Sequence, residues 1–275
     1  MNPFLTIIVP TYNRSLELAR CLSSIDIKDN LEIIVSDNHS SYDPNEYIPI
    51  GLKSVCKIFI QDENIGPREN IYQAGYLGSG KYTLFITDDD YFLPGKLYLL
   101  IAALRDKSPL IAYASCIINF EVQKKNKFYG TSPKLLFRPG AIQRGHVLSG
   151  LVVETRELKK ALTEHADILR NTWYFSMGIL CAIQVKPYLY GDPLLIHTWE
   201  NETFWGIEPT ESKILEKDKL NLATQMAKYG KLSYLELFLL RVIFNKKSVI
   251  PLRIFYYIKN FYFNIKRVAF MKKVI

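Results

Sequence analysis

Four short apolar runs, each closed by a polar turn, occupy the first 90 residues of the chain. They are Phe4 to Val9, Leu31 to Val35, Lys57 to Ile60 and Lys81 to Ile86. Runs of this kind mark strands, and the first and fourth read as buried ones. Helical patterns separate them. Ser15 is placed to cap a helix with Leu18, Leu22 and Ile25 on one face, and Arg68 to Leu77 form a second, stopped by Gly78 and Gly80. Pro94 starts a third, with Leu97, Leu100, Ile101 and Leu104 facing inward. This β-α-β-α alternation predicts an α/β fold, a mostly parallel sheet with helices on both faces. In such a sheet ligands bind beyond the carboxyl ends of the strands. Thr11, Tyr12, Asp37, Asn64 and Asp88 to Asp90 all follow strands and are expected to gather on one rim.

The fourth strand ends in Thr87-Asp88-Asp89-Asp90. Three adjacent carboxylates repel one another strongly in a low-dielectric site. Either an open loop solvates them or a cation neutralises them. Oxygen-only ligands select a hard ion, Mg²⁺ or Mn²⁺, and such ions usually also hold a substrate phosphate. The residues alone require a carboxylate pair without saying which two of the three form it.

After Pro109 the texture changes. Leu110 to Phe120 is β-rich, Glu121 to Tyr129 is a hairpin or exposed loop, and Thr131 to Gly145 is an ordered loop. Thr155 is placed to cap a helix to about Ala166, a second helix spans Thr172 to Ile183, and Tyr188 to Thr198 forms a last strand. Glu208 to Tyr229 is a polar helix. From Arg241 onward Lys and Arg occur with no Asp or Glu, and the whole chain carries a net charge of +8. The four cysteines stand far apart, so neither zinc nor a disulfide framework is expected, and a reducing, intracellular setting is. No signal peptide is read at the N-terminus. The run Leu232 to Phe244 contains Glu236 and Arg241 and is too short to span a bilayer.

No GxGxxG follows the first strand, which argues against a dinucleotide oxidoreductase, and no GxxxxGK[ST] is present. A metal and a nucleotide site on this rim suit departure of a nucleoside diphosphate. Four stretches, in order, then resemble the family 2 glycosyltransferases of GT-A (Rossmann-like) fold. They are Ile7 to Arg14, Glu32 to Ser40, Asn64 to Asn70, and Phe85 to Leu97. The resemblance covers roughly residues 4 to 105, is looser from Ser149 to Trp205, and points to the bacterial surface-polysaccharide type.

The resemblance implies roles. Pro10, Thr11 and Tyr12 would shape the base pocket, and Asp37 would accept a hydrogen bond from the base, a reading favoured over its merely capping its own turn. Arg14, Asn64, Gly66 and Arg68 would belong to the donor-binding set. Asp88 would face the ribose, Asp89 would be the main ligand of Mn²⁺ or Mg²⁺, and Asp90 would lie close to the metal or the acceptor. An inverting transfer needs a general base. Relatives often use a Glu-Asp pair that is absent here, so Asp167 takes the role, with Glu200 and Glu202 as competitors. His197 and Asn201 stand where relatives often carry a late His. Residues 1–107 would bind the nucleotide-diphosphate sugar donor and 108–206 a glycan or lipid-linked saccharide acceptor.

Residues 207–275 would form a helical, basic extension. Its segments Ser233 to Lys247 and Pro251 to Lys273 have apolar, aromatic faces opposite Lys and Arg, which suits an anionic membrane surface. The same segments would also serve as a helical pair on the core or an oligomer contact. Nucleic acid is not an expected partner, because no reading motif accompanies the charge. The expected location is cytoplasmic, peripheral on the inner face of the cell membrane. Two other readings are a sugar nucleotidyltransferase, against which the loop Pro10 to Arg14 speaks, and a non-catalytic membrane-docked scaffold.

Overall fold

The computed structural model describes residues 3–26, 29–120, 125–129, 148–173, 175–183, 185 and 188–199, with isolated positions between 217 and 228. Within them the elements run β1 (Leu5–Thr11), α1 (Ser15–Ser23), β2 (Leu31–Asp37), β3 (Cys56–Ile60), α2 (Pro67–Ala74), β4 (Tyr82–Phe85), β5 (Tyr91–Phe92) and α3 (Lys96–Lys107). They continue with β6 (Ile111–Phe120), β7 (Lys125–Tyr129), β8 (Leu151–Glu154), α4 (Thr155–Glu164), α5 (Ala166–Leu169), α6 (Phe175–Ile183) and β9 (Tyr188–Trp199). The described strands form one sheet in the order β3-β2-β1-β4-β8-β6-β9-β5, with β7 paired to β6.

The β3-β2-β1-β4 side is parallel throughout, as the sequence predicts. Beyond it β8 runs antiparallel to both β4 and β6, so β6 points the same way as β4, and β9 is parallel to β6. The strand β8 interrupts an otherwise parallel series. The helical alternation gives no sign of it, because Leu151 to Glu154 arrive only after β7 and pair back into the middle of the sheet. The predicted hairpin after β6 forms, with Cys116 opposite Tyr129 and Phe120 opposite Lys125.

Alternate side chains of β1 enter opposite faces of the sheet. Leu5, Ile7 and Val9 join Leu18 and Leu22 of α1 and Leu97, Leu100, Ile101 and Leu104 of α3. Ile8 joins Ile34, Phe85, Leu158 and Leu162 of α4, and Phe175 and Ile179 of α6. Burial on both faces is why these strands read as unbroken apolar runs. One buried charge interrupts the pattern. Glu32 accepts hydrogen bonds from Thr6 Oγ1 at 2.7 Å and from Ser79 N and Oγ at 2.9 Å, and pairs with Lys57 Nζ at 2.7 Å. Burial opposes its ionisation, but these partners win and hold its carboxyl below the usual range.

Several predicted boundaries and caps move. Arg14, not Ser15, takes the N-cap of α1, with no side-chain cap bond. Thr155 is likewise the first residue of α4 rather than its cap, and its hydroxyl pairs with Thr83 Oγ1 at 2.9 Å inside the core. The second predicted helix ends at Ala74, the third starts at Lys96 after a left-handed Gly95, and α4 stops at Glu164 with α5 following. Helix α6 starts at Phe175 because Thr172 Oγ1 and Trp173 N donate to Asp218 instead, at 3.1 and 2.8 Å. Asp218 and the buried Leu222 belong to the predicted polar helix, and these described positions pack against the core. The reading of Thr131 to Gly145 and those of the two basic segments fall outside the described residues. Among the described residues no helix is long and apolar enough to cross a membrane.

Gly150 fixes the point where β8 enters. Its N–H donates to Phe85 O and its carbonyl accepts from Ala114 N, both at 2.9 Å. Its φ is +90°, and an added Cβ would meet Ala114 O at 3.1 Å. Gly150→Ala is expected to cost about 1–3 kcal/mol. A thermal melt with an unchanged midpoint would contradict this account of the strand insertion.

Candidate active site

The carboxyl ends of β1, β2 and β4 meet around an open cleft of about 420 Å³. Its lining comes from Pro10 and Thr11 at the end of β1, Tyr12, Asn13 and Arg14 after it, Asn38 after β2, Asn64 before α2, Pro67, Asn70 and Ile71 in the first half of α2, and Asp88 after β4. The parallel register sets this up, with Thr11 paired to Asp37 and Ile8 to Phe85. Strands in one direction must discharge their turns at one edge.

Asp88 is the electrostatic centre. Its Oδ2 accepts from Thr11 Oγ1 at 2.8 Å, and its Oδ1 lies 3.4 Å from Arg14 Nη1. The same Nη1 is 2.8 Å from Asp89 Oδ2. One guanidinium nitrogen thus stands between the two carboxylates. Burial opposes charge on Arg14, but Asp88 and Asp89 outweigh it and hold its pKa above the ordinary value. Arg20 stacks on the Tyr91 ring at 5.1 Å and donates from Nη2 to the Asp89 carbonyl at 2.7 Å, which fixes the backbone of the triplet. Asp90 faces elsewhere. It is wholly buried, and its Oδ2 accepts from Thr87 Oγ1 at 3.0 Å, while Thr87 N donates to Ser149 Oγ at 2.9 Å. Under the triplet, burial and then Asp88, Asp90 and Asp89 push the Cys21 thiol well up, so it stays neutral.

The predicted residues therefore divide. Pro10, Thr11, Tyr12, Arg14, Asn64 and Asp88 line the cleft, Tyr12 with 42% of its surface exposed. Gly66 is not in the lining but shapes it: its left-handed φ of +82° lets its N–H reach Asn64 Oδ1 at 2.9 Å. Asp37 is wholly buried, and its carboxylate accepts from Ser40 N at 2.9 Å and from Ser40 Oγ, the turn-capping arrangement. Arg68 points away, donating to Asn171 O at 2.8 Å and stacking on Trp173 at 5.2 Å. Asp167 is exposed on α5. That helix is tied to α2 through a bidentate pair of Arg170 with Glu69 at 2.6 and 2.8 Å. His197 lies on β9 opposite Ile118, and Glu200, Asn201 and Glu202 are outside the described residues.

Sequence reasoning missed the asparagines that build the cleft wall. Asn38 Nδ2 donates to Asn64 Oδ1 at 2.7 Å, and its Oδ1 accepts from Ile65 N at 3.0 Å. Asn70 is buried and exchanges hydrogen bonds with Ser36 at 2.7 and 2.9 Å. Asn13 takes a left-handed φ of 53° and accepts from Ser41 N at 2.8 Å. An Asn directly after a strand and a tyrosine is the available signal for that last position.

As for a metal, Asp88 and Asp89 present hard oxygen donors that already share one cationic nitrogen, so the pair fits partial coordination of Mg²⁺ or Mn²⁺. Among the described residues no group of three or more His, Cys, Asp or Glu side chains is arranged to hold an ion.

A parallel half-sheet with its polar turns gathered on a carboxylate-bearing cleft, followed by a reversed strand, defines the GT-A class of fold. The glycosyl transferase family 2 model matches residues 6–163, more than half of the chain, so the chain belongs to that family. The GalNAc(5)-diNAcBac-PP-undecaprenol beta-1,3-glucosyltransferase of Campylobacter jejuni is 32% identical over 133 residues, which cover 46% of this chain and 43% of that protein. The chain thus spans less than half the length of this relative. Among solved structures, S. aureus TarS in complex with UDP-GlcNAc superposes with a TM-score of 0.63 at 16% identity, over 87% of this chain and 71% of that one. A Pyrobaculum calidifontis mannosyltransferase in complex with GDP-Man and Mn²⁺ gives 0.54 at 15% identity, over 83% and 65%. At these identities the likeness establishes the fold.

Burial, and then the neighbouring charge of Asp89, push the Asp88 carboxyl from 3.8 up to about 7, against the pull of Arg14 and Thr11. The folded protein keeps a proton that the unfolded chain gives up above 3.8. Stability from this group is complete below that value and is lost as pH rises to about 7, at about 1.4 kcal/mol per pH unit. Urea melts with a chelator present should show this decline in the wild type and not in Asp88→Asn. Parallel curves for the two proteins would remove Asp88 as its source.

Proposed function

We propose that the chain is an inverting glycosyltransferase that moves one sugar from a nucleoside-diphosphate donor to a glycan or lipid-linked saccharide. The observation that carries this reading is the Asp88 and Asp89 pair converging on one cation at the mouth of the cleft. A nucleoside fits the cleft with its base against Tyr12 and the Asn38–Asn64 wall, and with its diphosphate toward Arg14 and the carboxylates. Asp89 would be the main metal ligand, with Asp88 beside it; Asp90, bonded to Thr87, would brace the turn rather than join them. A divalent ion held there supplies charge neutralisation for the leaving diphosphate.

The chain's own residues supply position. Thr11 fixes one oxygen of Asp88, leaving the other toward Arg14. Asp37 and Gly66 act by shaping the turns that carry Asn38 and Asn64. Residues 1–107 would take the donor and 108–206 the acceptor, whose hydroxyl would lose its proton to Asp167. Support for Asp167 is its place on α5, which the Glu69–Arg170 pair ties to α2, the helix whose Asn70 and Ile71 line the cleft. The undecaprenol-linked substrate in the name of the Campylobacter relative supports a lipid-linked acceptor; bacterial surface polysaccharide assembly is what the sequence resemblance implies. The basic, aromatic tail after Gly230 would then rest on the inner face of the membrane, where such an acceptor is found.

Asp89→Ala should abolish transfer and weaken nucleotide binding in the presence of Mn²⁺, and Asp167→Asn should lower kcat by about 10²-fold or more with nucleotide binding kept. Nucleotide sugar turnover with a lipid-linked acceptor checks both, and full turnover by Asp89→Ala would defeat the proposal. For the tail, flotation with anionic liposomes should be strong for the full chain and lost for a chain ending at Gly230. Equal flotation would take the tail out of the membrane account.

A further inference from the structure

Arg14 holds both carboxylates that the proposed metal would need. Its Nη1 lies 2.8 Å from Asp89 Oδ2 and 3.4 Å from Asp88 Oδ1. The second oxygen of Asp88 is already committed to Thr11 at 2.8 Å. An ion bound between Asp88 and Asp89 needs its oxygens at about 2.1 Å. A guanidinium nitrogen at hydrogen-bond distance from the same oxygens claims the same space and the same charge. The two cations therefore exclude each other.

Resting on the donor-site reading above, we propose that Arg14 is an exchangeable counter-ion that makes metal and nucleotide diphosphate bind as a unit. A metal arriving alone must break the Arg14 pairs with Asp88 and Asp89 and brings no new anion to the guanidinium. When metal and diphosphate arrive together, Arg14 turns from the carboxylates to a phosphate in the cleft it already lines. It is able to turn, because 27% of its side chain is exposed and it stands at the first turn of α1 with no cap bond to keep. Arg20 does not follow, since it binds the backbone carbonyl of Asp89 and stacks on Tyr91, so the carboxylates keep their place during the exchange. By linkage, the factor by which nucleotide strengthens metal binding equals the factor by which metal strengthens nucleotide binding. Arg14 raises that factor by penalising the metal-only state.

The test is a Mn²⁺ titration followed by electron paramagnetic resonance, on the full chain, alone and with saturating UDP or GDP. The wild type is expected to bind Mn²⁺ weakly alone and on the order of tenfold or more tightly with nucleotide. Arg14→Met is expected to bind Mn²⁺ alone about tenfold more tightly than wild type, and nucleotide should enhance it less. Arg14→Lys keeps the charge and should return Mn²⁺ alone to weak binding, which separates competition from a general disturbance of α1. Equal Mn²⁺ affinity in Arg14→Met and wild type overturns the exchange while leaving the donor site standing. The exchange also falls, without any variant, if nucleotide does not strengthen Mn²⁺ binding to the wild type. Failure of wild type and variants to bind Mn²⁺ even with nucleotide overturns both.

Discussion

The cleft depends on how a chain can hold acidic side chains together at the end of a buried strand. Asp88 has almost no contact with water, and Asp89 stands next to it. Left alone, such a pair would protonate or push the turn open. Thr11 at the end of β1 and Arg14 just beyond it oppose this by contributing a hydroxyl and a guanidinium to the end of β4, although burial still holds the Asp88 carboxyl well above its ordinary value. The bond is therefore also a junction between neighbouring strands. It explains why the apolar sheet can carry its charge at one edge, and why the residues after Pro10 matter as much as the acids themselves.

The parallel half of the fold was legible because β1, β2 and β4 are buried on both faces, while the exposed edge strand β3 is marked by its apolar run and the polar turn that closes it. Period, turn and helix start all agree in residues 4 to 107, and the structure departs from them by a few residues at helix ends. Local hydroxyls misled the cap assignments: Ser15 and Thr155 have the right chemistry for a cap, yet tertiary packing placed them one residue inside their helices. The strand β8 was hidden for a different reason. Nothing local distinguishes Leu151 to Glu154 from a helix approach; only the vacant edge of β4 makes them a strand.

The cleft lining was legible where it falls at or shortly beyond the carboxyl end of a strand, as at Thr11, Asn64 and Asp88. It was less so where a side chain has a choice of neighbours. Arg68 and Asp37 sit at the right places along the chain, but Arg68 is captured by Trp173 and Asn171, and Asp37 by Ser40. Asn38 and Asn70 gave no signal, because a wall of amide hydrogen bonds depends on distant partners that spacing cannot reveal. Arg14 is the opposite case. Its type and position stand out along the chain, and its pairing with two acids more than seventy residues away is visible only in three dimensions.

The reversed strand β8 has a consequence for how the protein is made. Strand β4 is complete at Phe85, but its partner on the outer side begins at Leu151. A growing chain thus presents the bare backbone edge of an apolar strand for the whole time that α3, β6 and β7 are being synthesised. Exposed edges of this kind template aggregation. The half of the sheet that carries the acidic turn is therefore not a self-sufficient folding unit. It closes only when a segment from the other half is threaded in beside it, so the two halves of the sheet reach the folded state together.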